Sequence, residues 1–231
     1  MNRPEFDQFS GSYEELLRDP IRDGFAGKGS DFFQTRKRAL ILQYFAERRL
    51  ESRKLRYLDV GCGKGELAKS LRNDFAHVAG CDPSAGMLSF TREIETRLQT
   101  SSAVLPFDSG SFDFVTAVCV YHHVRPDQRA NLTVELARVL RPGGAVAIIE
   151  HNPYNPATQL IVSRTPVDAD AVLLTLPETR ALFRQAGLGF DRARYFLYFP
   201  EPIYKRGGDI LESWLRHLPI GGQYAAFATK D

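Results

Sequence analysis

YLDVGCGKGELAKSL, residues 57–71, places an apolar run, an acid, three glycines at alternate positions and an amphipathic stretch in immediate succession. That order predicts a strand, a tight turn and a helix. Gly61, Gly63 and Gly65 permit the positive φ values and close backbone approach that a ligand needs at the carboxyl edge of a sheet. The helix expected to begin near Gly65 points unpaired N–H groups into the same crevice. Asp59 stands two residues before the first glycine. A pyrophosphate would gain nothing from another negative charge there, whereas a cationic ligand is complemented by it, directly or through water.

Outward from this stretch the same grammar continues. From Leu55 short apolar runs alternate with amphipathic ones, which predicts strands at 55–60, 77–82, 112–119 and 144–151, a weaker one near 96–100, and crossover helices between them. Asp82, in GCDP, lies 17 residues beyond Gly65, near the ~20-residue offset at which an acid reaches ribose hydroxyls in such folds. Pro83 stiffens the turn, Ser84 suits an N-cap, and Met87 and Leu88 offer apolar walls for a purine. Upstream, residues 4–18 and 31–50 read as helices separated by glycines 24, 27 and 29, with Phe6, Phe9 and Tyr13 placed either to cap a ligand or to join the core. Downstream, the proline-rich stretch from His151 to Leu176 reads as a long loop or lid. A helix in PETRALFRQAG, an aromatic strand at 190–199, a helix in GDILESWLRHL and a last strand in QYAAFAT follow.

At 231 residues the chain predicts one domain in three parts: a helical cap (1–52), a ligand-binding core (53–151) and a lid with the partner-substrate side (152–231). A net charge of +2 without a basic stripe argues against a nucleic-acid partner. The three cysteines form no C-x-x-C pair, which argues against disulfides and zinc modules. No apolar leader and no run near the ~20 residues that span a bilayer is present, so a cytoplasmic protein without a membrane span is expected.

DVGCGKGE, GCDPSAGML, LPFDSGSFDFV, YHHV and ELARVLRPGG, in this order and spacing, resemble the class I S-adenosylmethionine-dependent methyltransferases, in particular the branch with the quinone-biosynthesis enzymes. The resemblance covers residues 55–151 closely. It implies an α/β, Rossmann-like three-layer sandwich with a seven-stranded, mostly parallel sheet of order 3-2-1-4-5-7-6, the last strand antiparallel, behind an N-terminal helical addition. It also implies S-adenosylmethionine as methyl donor and S-adenosylhomocysteine as product. Asp59, Gly61 and Gly63 then hold the amino acid end and Asp82 the ribose, with Cys62, Pro83 and Met87 beside them in the cofactor site. The family commonly carries an acid for the adenine amino group before LPF; this chain has TSSAV, so adenine recognition falls to backbone atoms and the Ser101 or Ser102 hydroxyl.

Transfer of a methyl group from a sulfonium is an in-line displacement, in which the protein aligns the acceptor and excludes water. A base is needed only if the acceptor must lose a proton. In CVYHHV, at the end of the fourth principal strand, Cys119 and Val120 offer backbone oxygens, and Tyr121, His122 and His123 are acid–base candidates, with packing or capping as the competing role. His151, closing the fifth strand, faces the same crevice. Glu150-His151-Asn152 has no companion His or carboxylate at metal-ligand spacing, so no metal is expected. Arg164, Arg192 and Arg194 are read as strand and surface residues rather than as an anion site. The expected acceptor is a small molecule, methylated on oxygen before carbon or nitrogen, and the C-terminal part is loosely similar to enzymes of saccharide or lipid-linked pathways. Two rivals stand beside this reading. GKGELA formally fits the dinucleotide turn of an NAD-dependent oxidoreductase, and a catalytically silent binding module would share the fold.

Overall fold

Continuous apolar runs make strands that are buried on both faces, and such strands pair in parallel beneath covering helices. The computed structural model, which describes residues 5–27, 31–101 and 104–231, has this arrangement. Strands β1 (Arg56–Val60), β2 (His77–Asp82), β3 (Glu95–Leu98), β4 (Phe112–Val118) and β5 (Leu140–His151) run parallel, and β6 (Leu188–Phe196) and β7 (Gln223–Lys230) complete the sheet. Its order is β3-β2-β1-β4-β5-β7-β6, with β7 antiparallel to both neighbours. The order reverses at β1/β4. Ligands in open α/β sheets sit beyond the strand ends at such a switch point.

Alternation along each strand feeds two cores. Leu58, Val115 and Ile148 face Leu136 of α6 (Arg129–Val139) and Phe183 of α8 (Leu176–Gln185). Tyr57, Phe114 and Phe227 face Tyr44 and Phe45 of α3 (Phe32–Glu47) and Leu71 of α4 (Glu66–Leu71). The second core is aromatic: Tyr44 stacks on Phe227 at 4.2 Å between centroids, and Phe45 meets Phe114 edge-on at 4.9 Å. Rings so placed add directional attraction to the burial of their area. Short α5 (Ala85–Leu88), capped by the Ser84 hydroxyl, connects β2 to β3.

Three expectations need correction. The N-terminal segment is not one helix over 4–18. It forms a 3₁₀ turn at Glu5–Asp7, α1 (Tyr13–Leu16) and α2 (Pro20–Ala26), the last holding Gly24 within it. Asp19 starts α2 because its carboxylate accepts from the amides of Ile21 and Arg22, at 2.8 and 3.2 Å, with Pro20 in the first turn. The lid is not irregular throughout either: Pro156 opens α7 (Pro156–Arg164) behind an Asn155 cap, and Pro166–Asp168 forms a 3₁₀ turn. Pro156 and Pro166 thus start helical turns rather than interrupt them. The weak strand lies at Glu95–Leu98 rather than 96–100.

Between β6 and β7 lie α9 (Glu201–Tyr204) and α10 (Gly208–Leu215). Helix α10 turns its acid inward, where Glu212 accepts from the Leu197 amide at 2.8 Å and pairs with Arg36 at 2.7 Å. Ile210, Leu211 and Trp214 face outward, the tryptophan 83% exposed. Arg192, Arg194 and Arg216 gather around Glu47 at the end of α3, with Arg194 buried against it.

Phe114 is fully buried at the centre of the aromatic core. Phe114→Ala is expected to cost about 3–5 kcal/mol, read as an earlier urea midpoint in circular dichroism.

Candidate active site

Three positive-φ glycines make the turn after β1: Gly61 (69°), Gly63 (54°) and Gly65 (73°). A side chain at Gly61 would run into Val120, and one at Gly65 into Thr91, so close packing adds to the backbone requirement. The turn is tied to β2 by the amides of Gly61 and Cys62, which donate to the Cys81 carbonyl at 2.8 and 3.0 Å. Asp82 completes the tie. Its carboxylate accepts from the Gly63 amide and the Ser84 amide, both at 2.8 Å, and burial raises its pKa.

Asp59 lies near the end of β1, opposite Thr116 of β4. The Thr116 hydroxyl donates to it at 2.6 Å and in turn meets the Tyr57 hydroxyl at 2.8 Å. Burial pushes the Asp59 carboxyl up to about 6, against the pull of Thr116 and of the Lys37 ammonium. Such a site favours a cation.

Asp59, Cys62, Gly63, Asp82, Pro83 and Met87 all line one cavity of about 500 Å³. A second, of about 360 Å³, opens beside it under α2 and α7. The two share a wall made by Tyr13, Gln34, Lys37, Glu66, Cys119 and His123. Ser101 is not among the lining residues; it sits exposed in a bridge to Val104. Ser102 lies outside the described residues.

Cys119 is the hinge of that wall. It has φ 56°, a left-handed conformation uncommon for a side-chain-bearing residue. Burial raises its thiol pKa, but Lys37 and His151 outweigh that and bring it down to about 7. The Lys37 ammonium lies 3.7 Å and the Gln223 amide nitrogen 3.4 Å from its sulfur. The turn that follows is held by Glu150, fully buried on β5: one carboxylate oxygen accepts from the amides of Val120 and Tyr121 at 2.8 and 2.7 Å, and the other meets His122 Nδ1 at 2.6 Å.

This arrangement sorts the predicted acid–base residues. Tyr121 is turned away, fully buried with its hydroxyl on Thr133 at 2.8 Å, and lines neither cavity. The backbone turn that brings His122 and His123 to the second cavity drives its ring into the core. His122, His123 and His151 all line the second cavity. Their rings cluster, His122 lying 4.1 Å from His123 and 5.0 Å from His151. Asp168, from the turn after α7, joins them. Burial lowers the His122 pKa, yet Glu150 and Asp168 raise it to about 10; burial and His122 lower that of His123 to about 4.

The N-terminal segment closes the first cavity. One Asp7 carboxylate oxygen accepts from the Ser84 hydroxyl at 2.6 Å and the Gly86 amide at 3.0 Å, while Phe6 meets the His123 ring edge-on at 4.9 Å and Glu14 pairs with Lys64 at 2.6 Å. Phe9 packs on Phe6 instead of reaching the cavity. Sequence reasoning missed Lys37, Asp168 and Gln223, which local motifs do not mark. Glu150 was noticed only as part of an unsupported metal triplet.

A methyltransferase-domain profile matches residues 58–148. The chain is 32% identical to a ubiquinone biosynthesis O-methyltransferase from Hahella chejuensis over 184 residues, 70% of this chain and 75% of that one. It is 28% identical to a 27-O-demethylrifamycin SV methyltransferase from Amycolatopsis mediterranei, over 75% of this chain and 72% of that one. Among solved structures, an S-adenosylmethionine-dependent methyltransferase from Thermotoga maritima superposes with a TM-score of 0.64 at 18% identity, covering 98% of each chain.

The raised pKa of Asp59 has a stability consequence. Its folded-state value lies above the unfolded one, so keeping it ionised costs the fold stability at neutral pH, up to about 3 kcal/mol. Asp59→Asn is therefore expected to raise the melting temperature of the ligand-free protein at pH 8, with the gain shrinking as the pH falls through 6 toward 4. A gain that did not depend on pH would contradict the assignment.

Proposed function

The chain belongs to the class I S-adenosylmethionine-dependent methyltransferase family, and on that footing we propose that it moves the methyl group onto an oxygen of a small molecule seated in the second cavity. The observation that carries this reading is the shared wall: a cavity with two buried carboxylates meets a second, partly apolar cavity at Cys119 and His123. The donor set fits the cofactor. Asp59 suits the ammonium, Asp82 retains lone pairs for paired hydroxyls, and the bare backbone of Gly63, where a Cβ would meet nothing within 4 Å, leaves room for close approach.

When bound, S-adenosylmethionine supplies an electrophilic methyl group on a sulfonium. In this reading Asp59, Gly61, Cys62 and Gly63 hold its amino acid end, and Lys37, a buried cation in the shared wall, suits its carboxylate. Asp82 accepts from the ribose, and Pro83 and Met87 flank the purine. The N-terminal segment, latched by Asp7, excludes water. His151, whose Nδ1 faces the Gln223 amide at 3.5 Å, takes the proton released by the acceptor oxygen. Oxygen is favoured over carbon and nitrogen because the relatives matched over 68–80% of this chain, ubiquinone biosynthesis O-methyltransferases and the 27-O-demethylrifamycin SV methyltransferase, are named for oxygen chemistry. Phenolic and saccharide hydroxyls are the acceptor classes to test. Membership in the family leaves no support for the oxidoreductase and silent-module readings.

Asp82→Ala is expected to weaken S-adenosylhomocysteine binding at least about tenfold, roughly 1.4 kcal/mol, in titration calorimetry; unchanged affinity would remove the ribose assignment. His151→Gln should lower turnover of a hydroxyl acceptor by about 100-fold or more, while leaving S-adenosylhomocysteine affinity within about twofold. A variant that binds the product tenfold more weakly instead would place His151 in the cofactor site.

A further inference from the structure

Two distances in the histidine cluster are long for charge-assisted hydrogen bonds. His122 Nε2 lies 3.5 Å and His123 Nε2 3.4 Å from the same Asp168 oxygen, Oδ1. Charge-assisted bonds between such groups close to about 2.7–2.9 Å, as His122 Nδ1 does with Glu150 at 2.6 Å. Zinc-type ions, however, hold imidazole nitrogens and carboxylate oxygens at roughly 2.0–2.2 Å. Two ligands at that radius in a tetrahedron stand about 3.3–3.6 Å apart. Both observed separations fall on that edge length, and the three ligand atoms all lie within 4.8 Å of one another.

We propose that His122, His123 and Asp168 form a binding site for a divalent first-row transition-metal ion in the wall of the acceptor cavity. Glu150 completes the design. A ligating imidazole ordinarily donates its other nitrogen to a carboxylate, which fixes the ring and its tautomer, and the fully buried Glu150 occupies that position on His122. The ligands come from the turn after β4 and the turn after α7, 45 positions apart in the chain, so no spacing motif announces them. All three residues line the second cavity, so the remaining coordination position opens where an acceptor would lie. An oxygen ligand, the hydroxyl or oxyanion of the acceptor, is the class such a position takes. The mixed nitrogen and oxygen donor set favours zinc-like ions over magnesium, which prefers an all-oxygen shell. The acceptor's place in this cavity rests on the proposed function; the metal site itself does not.

The test uses the tag-free full-length protein, equilibrated with Zn²⁺, passed through a desalting column and analysed by inductively coupled plasma mass spectrometry. About one zinc per chain is expected for the wild type, not displaced by millimolar Mg²⁺, and at least a tenfold loss of retained zinc in Asp168→Asn and in His122→Gln. Circular dichroism and S-adenosylhomocysteine calorimetry on the same samples show whether each variant is folded. Wild-type protein that retains no zinc, or an Asp168→Asn variant that is folded and retains it fully, overturns the site. Failure of the wild type to bind S-adenosylhomocysteine counts against the proposed function alone, because zinc retention is read without the cofactor.

Discussion

The side chain of Glu150 is the point on which the working face of this protein is organised. It is a carboxylate without solvent exposure, and its two oxygens are spent on two backbone amides and one imidazole. A buried charge is tolerated only when fully partnered. Here the partnering dictates geometry: the chain leaving β4 must turn back toward β5, Cys119 must take a left-handed conformation, and Tyr121 and His122 must go in opposite directions. The core gains the tyrosine and the cavity gains the histidines.

A second constraint acts at the other side of the switch point. Asp82 reaches from the end of β2 to the amide of Gly63 and so fixes the glycine turn after β1. Asp59 is fixed in turn by Thr116 from β4. Each acid is therefore held by an element other than its own, and the cavity between them is preorganised by cross-strand bonds rather than by the turn alone. The cost appears in the raised pKa values of both carboxyls, the usual result of taking a carboxylate out of water. Two carboxyls held out of water at one cavity suit a cation.

The fold and the first cavity were legible because their signals are local. Strand periodicity, the glycines at 61, 63 and 65 and the acids at 59 and 82 lie within one 27-residue stretch, Arg56–Asp82, and each has a meaning independent of the rest of the chain. The acceptor side was not legible. Lys37 sits in a helix that otherwise reads as amphipathic cover, Asp168 follows a stretch whose prolines suggested irregularity, and Gln223 opens a strand of small and aromatic residues. They meet only after β5, α7 and β7 are assembled. The misreading of the lid has a specific cause: proline stops a helix from within but starts one at its first turn, and only the Asn155 cap beside Pro156 distinguishes the two cases. Ser101, at the motif position, lies exposed in a bridge to Val104 and is not among the residues lining the first cavity.

The outward face of α10 has an optical consequence. The chain contains a single tryptophan, and it is among the most exposed side chains of the fold, while the interior is furnished with phenylalanine and tyrosine rings. An indole already bathed in water emits much as it would in a denatured chain, so its fluorescence is nearly blind to loss of the aromatic interior. The same indole becomes a sensitive reporter of anything that settles on that helix, a background-free lamp on one side of the molecule.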